Sequence, residues 1–168
     1  MNYDLFILDY RGYRKSEGNI SSEEQLSKDV QLAYDKLKAK YNEKKIIILG
    51  YSIGTGPATR LASTNNSKLL ILQAPYYNLT DMMKHDYLII PAFILKYKFE
   101  TNKYLQECKM PVVVFHGDND HVIYYESSLR LKELFKKNDT LIILNGQGHR
   151  GMNENPEYLA AMRKILNE

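Results

Sequence analysis

A serine, an aspartate and a histidine follow one another along this chain, each just past an apolar run rich in β-branched residues. Ser52 follows residues 46–49, Asp120 follows residues 112–115 and His149 follows residues 140–144. A serine hydroxyl is a poor nucleophile at neutral pH and needs a base to take its proton. Histidine suits that role, and a carboxylate must then fix its tautomer and stabilise its charged form. Among four histidines, His149 is the candidate base, in the loop Gly146-Gln147-Gly148-His149. His116 ends an apolar run and reads as a packed, hydrogen-bonded residue, while His85 and His121 read as exposed. Asp118 and Asp120 compete for the acid. Asp118 lies in the turn directly after the run, where aspartate is favoured for turn reasons alone. Asp120 lies two residues further out, is better able to reach the histidine loop, and is preferred. Asp9 reads as a loop-ordering residue.

Ser52 is the centre of Gly50-Tyr51-Ser52-Ile53-Gly54, between a strand and a helix opening. That is the pattern of a nucleophile elbow, in which the serine takes a strained backbone geometry at the strand tip. Gly50 and Gly54 are expected to be there because side chains would collide across the turn. The backbone amide of Ile53, at the new helix start, is the candidate oxyanion donor.

The elements that must position these residues alternate. Residues 3–8 read as a first strand and residues 9–18 as a loop. Ser21 and Glu24 offer a capping box. Leu26, Val30, Ala33, Leu37 and Tyr41 then recur at helical spacing. The strand at 46–49, the serine turn and a helix carrying Ala58, Leu61 and Ala62 follow, ending at Asn65-Asn66. Residues 68–73 form a third strand. Residues 76–110 are irregular, including an apolar run at 87–95 broken by Pro91, and are expected to form one or two short helices as a cap-like insertion. The fourth strand is at 112–115. A helix carrying Leu129, Leu131, Leu134 and Phe135 ends near Asn138. The fifth strand is at 140–144, and Asn155-Pro156 starts a last helix with Leu159, Met162, Ile165 and Leu166 inward. Alternating strands and helices with continuously apolar strands imply an α/β domain with a mostly parallel five-stranded sheet. Ligands of such sheets sit beyond the carboxyl ends of the strands, where Ser52, Asp120 and His149 fall.

The bulk properties exclude other classes. The 168 residues are 44% hydrophobic with net charge +3, which suits one domain, 1–168, with a sizeable core. The lysines at 36–45 and 132–137 sit among helix-spaced apolar residues, so they read as solvated helix faces and not as a nucleic-acid surface. The single cysteine, Cys108, precedes an apolar strand and reads as a packed thiol. No metal-ligand spacing and no nucleotide-binding glycine motif occurs, so neither metal nor cofactor is expected. The chain has no leader-like start and its longest apolar run is too short to span a bilayer, so a cytoplasmic location is expected.

With these motifs in view, the chain resembles the α/β-hydrolase superfamily, in the branch of small serine hydrolases described as serine-aminopeptidase-like or acyl-hydrolase-like. The matching stretches are Asp9-Tyr10-Arg11-Gly12-Tyr13-Arg14-Lys15-Ser16-Glu17-Gly18, Gly50-Tyr51-Ser52-Ile53-Gly54-Thr55-Gly56-Pro57, Gln73-Ala74-Pro75, His116-Gly117-Asp118-Asn119-Asp120-His121-Val122-Ile123 and Gly148-His149. The resemblance implies Ser52 as nucleophile, Asp120 as acid and His149 as base. It also implies a truncated form of the fold, because the stretch at 9–12 normally follows the fourth strand and here follows the first. Arg14 stands where this branch usually has glycine. The strands, helix and His-Gly loop that normally precede are absent, and that loop normally supplies the second oxyanion donor.

The resemblance leaves a vacant slot beside residues 46–49, with two outcomes. Residues 3–8 pair directly with 46–49, the favoured outcome, bringing Tyr10 and Arg11 beside Ser52 as a candidate second oxyanion donor. Otherwise the slot stays open, exposing strand edges to a partner chain or a second copy. The expected function is hydrolysis of an ester, thioester or amide of an apolar small-molecule acyl substrate through an acyl-enzyme. Tyr51, Tyr76 and Tyr77 are candidate pocket residues, with residues 76–103 as a cover. The alternative is a catalytically weak or inactive truncated remnant, or one half of a complex completed by a partner.

Overall fold

The structure is a computed structural model that describes residues 3–86 and 97–167. Residues 87–95, the apolar centre of the expected cap, lie outside the described residues, as does the side chain of His85. Among the described residues, β1 (Ile47–Tyr51), β2 (Leu69–Gln73), β3 (Val112–Gly117) and β4 (Thr140–Leu144) form one sheet in the order β1-β2-β3-β4. Every pairing is parallel. In register, Tyr51 lies beside Gln73, Gln73 beside Phe115 and Gly117 beside Leu144. The strands therefore end close to one line, and the segments carrying Ser52, Asp120 and His149 leave the sheet along the same edge.

The period of two along each strand sorts its residues onto two faces. Ile48, Leu70, Leu72, Val112 and Val114 face one core, with Tyr34 of α1 (Glu23–Lys38), Ala58 and Ala62 of α2 (Thr55–Ser63), and Leu105 and Leu131. Leu69, Ile71, Val113, Phe115 and Leu144 face the other, with Tyr158, Ala161, Met162 and Ile165 of α6 (Pro156–Asn167). Strands β2 and β3 are buried along their whole length, as their unbroken apolar sequences require, while β1 and β4 are half exposed. Within residues 76–110 the described helices are α3 (Leu79–Asp86) and α4 (Thr101–Glu107). Leu105 of α4 and Cys108 after it are buried in the first core, so α4 belongs to the helical layer of the sheet and not to a cover over its edge. Burial pushes the Cys108 thiol up to about 12, which makes it an inert packed group. The helix α5 (Glu126–Lys132) stops short of the expected end near Asn138. Leu134 and Phe135 still pack on the core from the following turns.

Two expectations are corrected. The N-cap of α1 is Ser22, whose Oγ accepts from the Gln25 amide at 3.1 Å, while the Gln25 side chain reaches back to the Ser21 amide at 2.8 Å. The capping box is thus one residue later than Ser21–Glu24. Glu23 sets that register: its carboxylate is turned inward, where it accepts from the amides of Lys98 (3.1 Å) and Phe99 (3.2 Å), from Tyr104 Oη (3.1 Å) and from Arg60 (3.4 Å).

The second correction concerns the sheet. Residues 3–8 form no strand, do not pair with β1, and leave four strands where five were expected. This segment is held by its ends instead. Tyr3 Oη donates to the Leu166 carbonyl of α6 at 2.8 Å, Tyr41 Oη donates to Asp4 at 2.7 Å, and Tyr10 packs into a third cluster with Leu26, Tyr76, Phe99 and Ile123. Held between these anchors, the segment stays off β1 and leaves its own apolar side chains out, Leu5 at 85% and Ile7 at 77% exposure. On β1 itself Leu49 is 49% exposed. Among the described residues no strand pairs with the outer edge of β1.

Glu23 ties α1 to the chain that re-enters at residues 97–104. Glu23→Ala leaves two backbone amides and a phenol without their acceptor, and is expected to lower unfolding free energy by about 1–3 kcal/mol. Urea denaturation of wild type and variant measures it.

Candidate active site

Ser52 stands directly after β1, at the first position of the turn that opens into α2. Its φ is +51°, left-handed for a non-glycine residue. Such a conformation costs on the order of 1–3 kcal/mol and persists only where surrounding packing enforces it. The packing is visible at Gly50. A Cβ there would lie 2.7 Å from Ala58 Cβ, 2.8 Å from the Gly54 carbonyl and 2.9 Å from Thr55 Cα. Helix α2 folds back onto β1 at a distance that only glycine permits. Gly54 differs from expectation: the nearest atom to a Cβ there is Tyr10 Oη, at 3.8 Å. No collision requires glycine at position 54.

His149 is carried by a loop pressed against the acid loop. A Cβ on Gly117 would fall 2.0 Å from the Gln147 carbonyl oxygen, so the two loops touch backbone to backbone. Asp118 secures the contact, its Oδ1 accepting from the Gly146 amide at 2.7 Å. Gln147 donates to the carbonyls of Gly148 (2.9 Å) and Arg150 (2.7 Å) and accepts from Asn155 (2.9 Å). Tyr51 Oη donates to the His149 carbonyl at 2.9 Å, and its ring lies 5.3 Å from the imidazole.

The three sequence-selected residues meet. His149 Nδ1 is 2.7 Å from Asp120 Oδ2, and His149 Nε2 is 3.0 Å from Ser52 Oγ. An ionised carboxylate only accepts, so Nδ1 carries the proton, Nε2 is the free base, and Ser52 Oγ–H donates to it. The Asp120 side chain is fully buried. Its Oδ1 accepts from the amides of Val122 (2.8 Å) and Ile123 (2.9 Å). Burial alone raises a carboxyl's proton affinity. Here the hydrogen bonds from His116, Ile123 N–H, His149 and Val122 N–H outweigh it and hold Asp120 well below the usual carboxylate range. The arrangement can draw a proton from a hydroxyl and hold the resulting imidazolium.

The other selected residues fall at different distances from this centre. Ile53 follows Ser52 in the turn, its carbonyl accepting from Tyr76 Oη at 3.3 Å. Tyr76 is fully buried beneath the elbow, and Tyr51, exposed beside His149, braces the histidine loop. Tyr77 packs against the first core with the Arg130 guanidinium 3.9 Å over its ring. Tyr10 reaches the elbow with its hydroxyl, whereas the Arg11 guanidinium is committed to Asp29 through Nη2–Oδ1 at 2.8 Å and a second bond from Nε. His116 is buried and hydrogen-bonded and His121 is exposed, as expected. The sequence reading missed the supports: Gly117, Gln147 and Ser128, which bonds His116. Of these only the His116-Gly117 pair carried a signal, a glycine directly between a strand and the acid loop.

Comparison with known proteins shows the family and the fold. Residues 1–103 match the family model of serine aminopeptidase, S33. The α/β-hydrolase domain-containing protein aho-3 of Caenorhabditis elegans is 28% identical over 171 residues, covering 99% of this chain and 49% of the relative. The human α/β-hydrolase domain-containing protein 17B is 28% identical over 173 residues, covering 100% of this chain and 58% of the relative. The chain thus spans about half the length of the curated relatives it matches. Among solved structures, the α/β-hydrolase GrgF from Penicillium sp. sh18 superposes with a TM-score of 0.72 at 16% identity, covering 94% of this chain and 76% of that one. The monoacylglycerol lipase of Paleococcus ferrophilus superposes with a TM-score of 0.67 at 19% identity, covering 95% and 80%. These likenesses show the fold. Among the described residues no helix is long and apolar enough to cross a membrane.

Two measurements test the geometry. Gly50→Ala is expected to destabilise by about 1–3 kcal/mol through overpacking against backbone, and Gly54→Ala to stay within about 0.5 kcal/mol; thermal or urea melts of both separate the two glycines. The second is pH dependence. Asp120 is depressed below its unfolded value of about 3.9. The stabilisation that follows is fully present above that pH and is lost as pH falls toward the folded value. The stability difference between wild type and Asp120→Asn is therefore expected to shrink as urea melts are repeated from about pH 6 to about pH 3.

Proposed function

This chain belongs to the serine aminopeptidase S33 family of the α/β-hydrolase superfamily, and from that premise we propose that it is a serine hydrolase of an apolar acyl ester, thioester or amide. The observation that carries the reading is the unbroken line Ser52 Oγ, His149 Nε2, His149 Nδ1, Asp120 Oδ2, with spacings of 3.0 and 2.7 Å at its two hydrogen bonds. Ser52 Oγ attacks the substrate carbonyl as His149 Nε2 takes its proton. The imidazolium keeps its Nδ1–H on the buried Asp120 carboxylate, which stabilises the charge. Nε2–H then protonates the leaving group, and an acyl group remains on Ser52. Water, deprotonated by the same nitrogen, releases the acid and restores the serine. The Ile53 amide, next after the nucleophile, faces the developing oxyanion. Tyr10, with its hydroxyl beside Gly54, is the candidate second donor.

A second reading is favoured by β1, an edge strand among the described residues that carries the half-exposed Leu49, together with the exposed Leu5 and Ile7. In it a partner chain or a second copy pairs with that edge, and the isolated chain is weakly active or silent. Missing one oxyanion donor costs about 2.7–4 kcal/mol in comparable sites, which sets the expected size of that weakness.

A fluorophosphonate probe decides between them. The folded wild-type chain is expected to be labelled, and Ser52→Ala to be unlabelled. Asp120→Asn is expected to lower the labelling rate by about 10³–10⁴-fold, as loss of the orienting carboxylate does elsewhere. A folded wild-type chain that takes no label rejects the hydrolase reading for the chain alone.

A further inference from the structure

Asp120 faces a second histidine. His116 is fully buried at the end of β3, with Nε2 2.9 Å from the Ile123 carbonyl and 3.4 Å from Asp120 Oδ2, and Nδ1 2.6 Å from Ser128 Oγ. A carbonyl only accepts, so Nε2 carries a proton. In the neutral ring Nδ1 is then the acceptor, and the buried Ser128 hydroxyl donates to it. The Nε2–H bonds the Ile123 carbonyl and stands 3.4 Å from the carboxylate oxygen that also receives His149. The five side chains form one line, buried at Ser128, His116 and Asp120 and half-buried at His149 and Ser52. Oδ1 is occupied by two backbone amides, so His116 is the side chain that decides which way Oδ2 points.

We propose that His116, oriented by Ser128, is a positioning residue for the acid of the site, holding Asp120 Oδ2 toward His149 and moderating its pull on the imidazole. The inference rests on the triad reading. Its physical logic is that of an outer-shell partner, which sets the direction and basicity of the group that does the orienting. The His116 N–H, 3.4 Å from Oδ2, disperses part of the carboxylate charge. Without it the carboxylate holds the protonated form of the base more strongly. Other groups facing His116 are Ser128 of α5 and the Ile123 carbonyl of the acid loop, neither of which titrates.

Three variants test it. His116→Gln can place an N–H where Nε2 stands; His116→Phe fills the volume without a donor; Ser128→Ala releases the ring at its far end. For hydrolysis of a p-nitrophenyl acyl ester, His116→Phe is expected to lower kcat roughly tenfold, the scale of one hydrogen bond to a charged group, with KM unchanged. The acid limb of the pH–rate profile is expected to move to higher pH. His116→Gln restores both, and Ser128→Ala shows a smaller shift in the same direction. A role in packing alone would lower the folded fraction and leave the limb in place. The low-field ring N–H resonance of His149 gives a reading that needs no activity. It is expected to move in His116→Phe and return in His116→Gln. Unchanged resonances and pH limbs in folded variants overturn the proposal. An inactive wild-type chain whose His149 resonance still responds to His116 overturns the hydrolase reading and leaves this coupling standing. If His116→Phe does not fold, Ser128→Ala and His116→Gln carry the same comparison.

Discussion

The Asp120 carboxylate is the group on which the rest of this structure depends. A buried carboxylate is costly unless hydrogen bonds replace water. This one takes two backbone amides from its own loop, a ring nitrogen from the histidine loop, and a second imidazole from the end of β3. Those donors come from β3, the turn after it and the loop after β4. Satisfying one side chain therefore requires the two loops to close together. The closure in turn demands Gly117, where the Gln147 carbonyl occupies the space of a side chain.

The serine end is held by a different kind of force. Ser52 sits at positive φ because α2 is drawn onto β1 by Ala58 and Ala62, with Gly50 granting the approach. Beneath the turn, Tyr76 fills the space and bonds the Ile53 carbonyl, and the cluster around it gathers α1, the acid loop and the chain at 97–99. Hydrophobic packing thus maintains the strain at the nucleophile, while hydrogen bonding maintains the charge at the acid. His149 bridges the two regimes, braced by Tyr51.

The other margin of the sheet is set by β1. Strand β1 carries the serine yet lies at an edge among the described strands, with Leu49 exposed and an apolar N-terminal segment standing off from it. Edge strands of this kind are normally covered or charged. The functional end of the domain is densely supported, whereas the flank beside β1 is bare.

Much of this was legible before folding. Continuously apolar runs, a glycine-flanked serine and Ser-Asp-His order marked the strands, the elbow and the three side chains that meet there. Boundaries moved by a residue or more where a tertiary partner competed, as when Glu23 shifted the cap of α1 from Ser21 to Ser22. Local pattern could not place residues 3–8, because an apolar run reads as a strand whether or not a neighbour is there to pair with it. What the sequence by itself determined is residue chemistry and the side of the sheet on which it emerges, since both follow from composition and short-range periodicity. What only the tertiary structure decided is whether the slot beside β1 closes, and that His116 and His149 share one carboxylate oxygen. Both depend on contacts between distant segments, where a shift of an ångström makes or breaks a hydrogen bond.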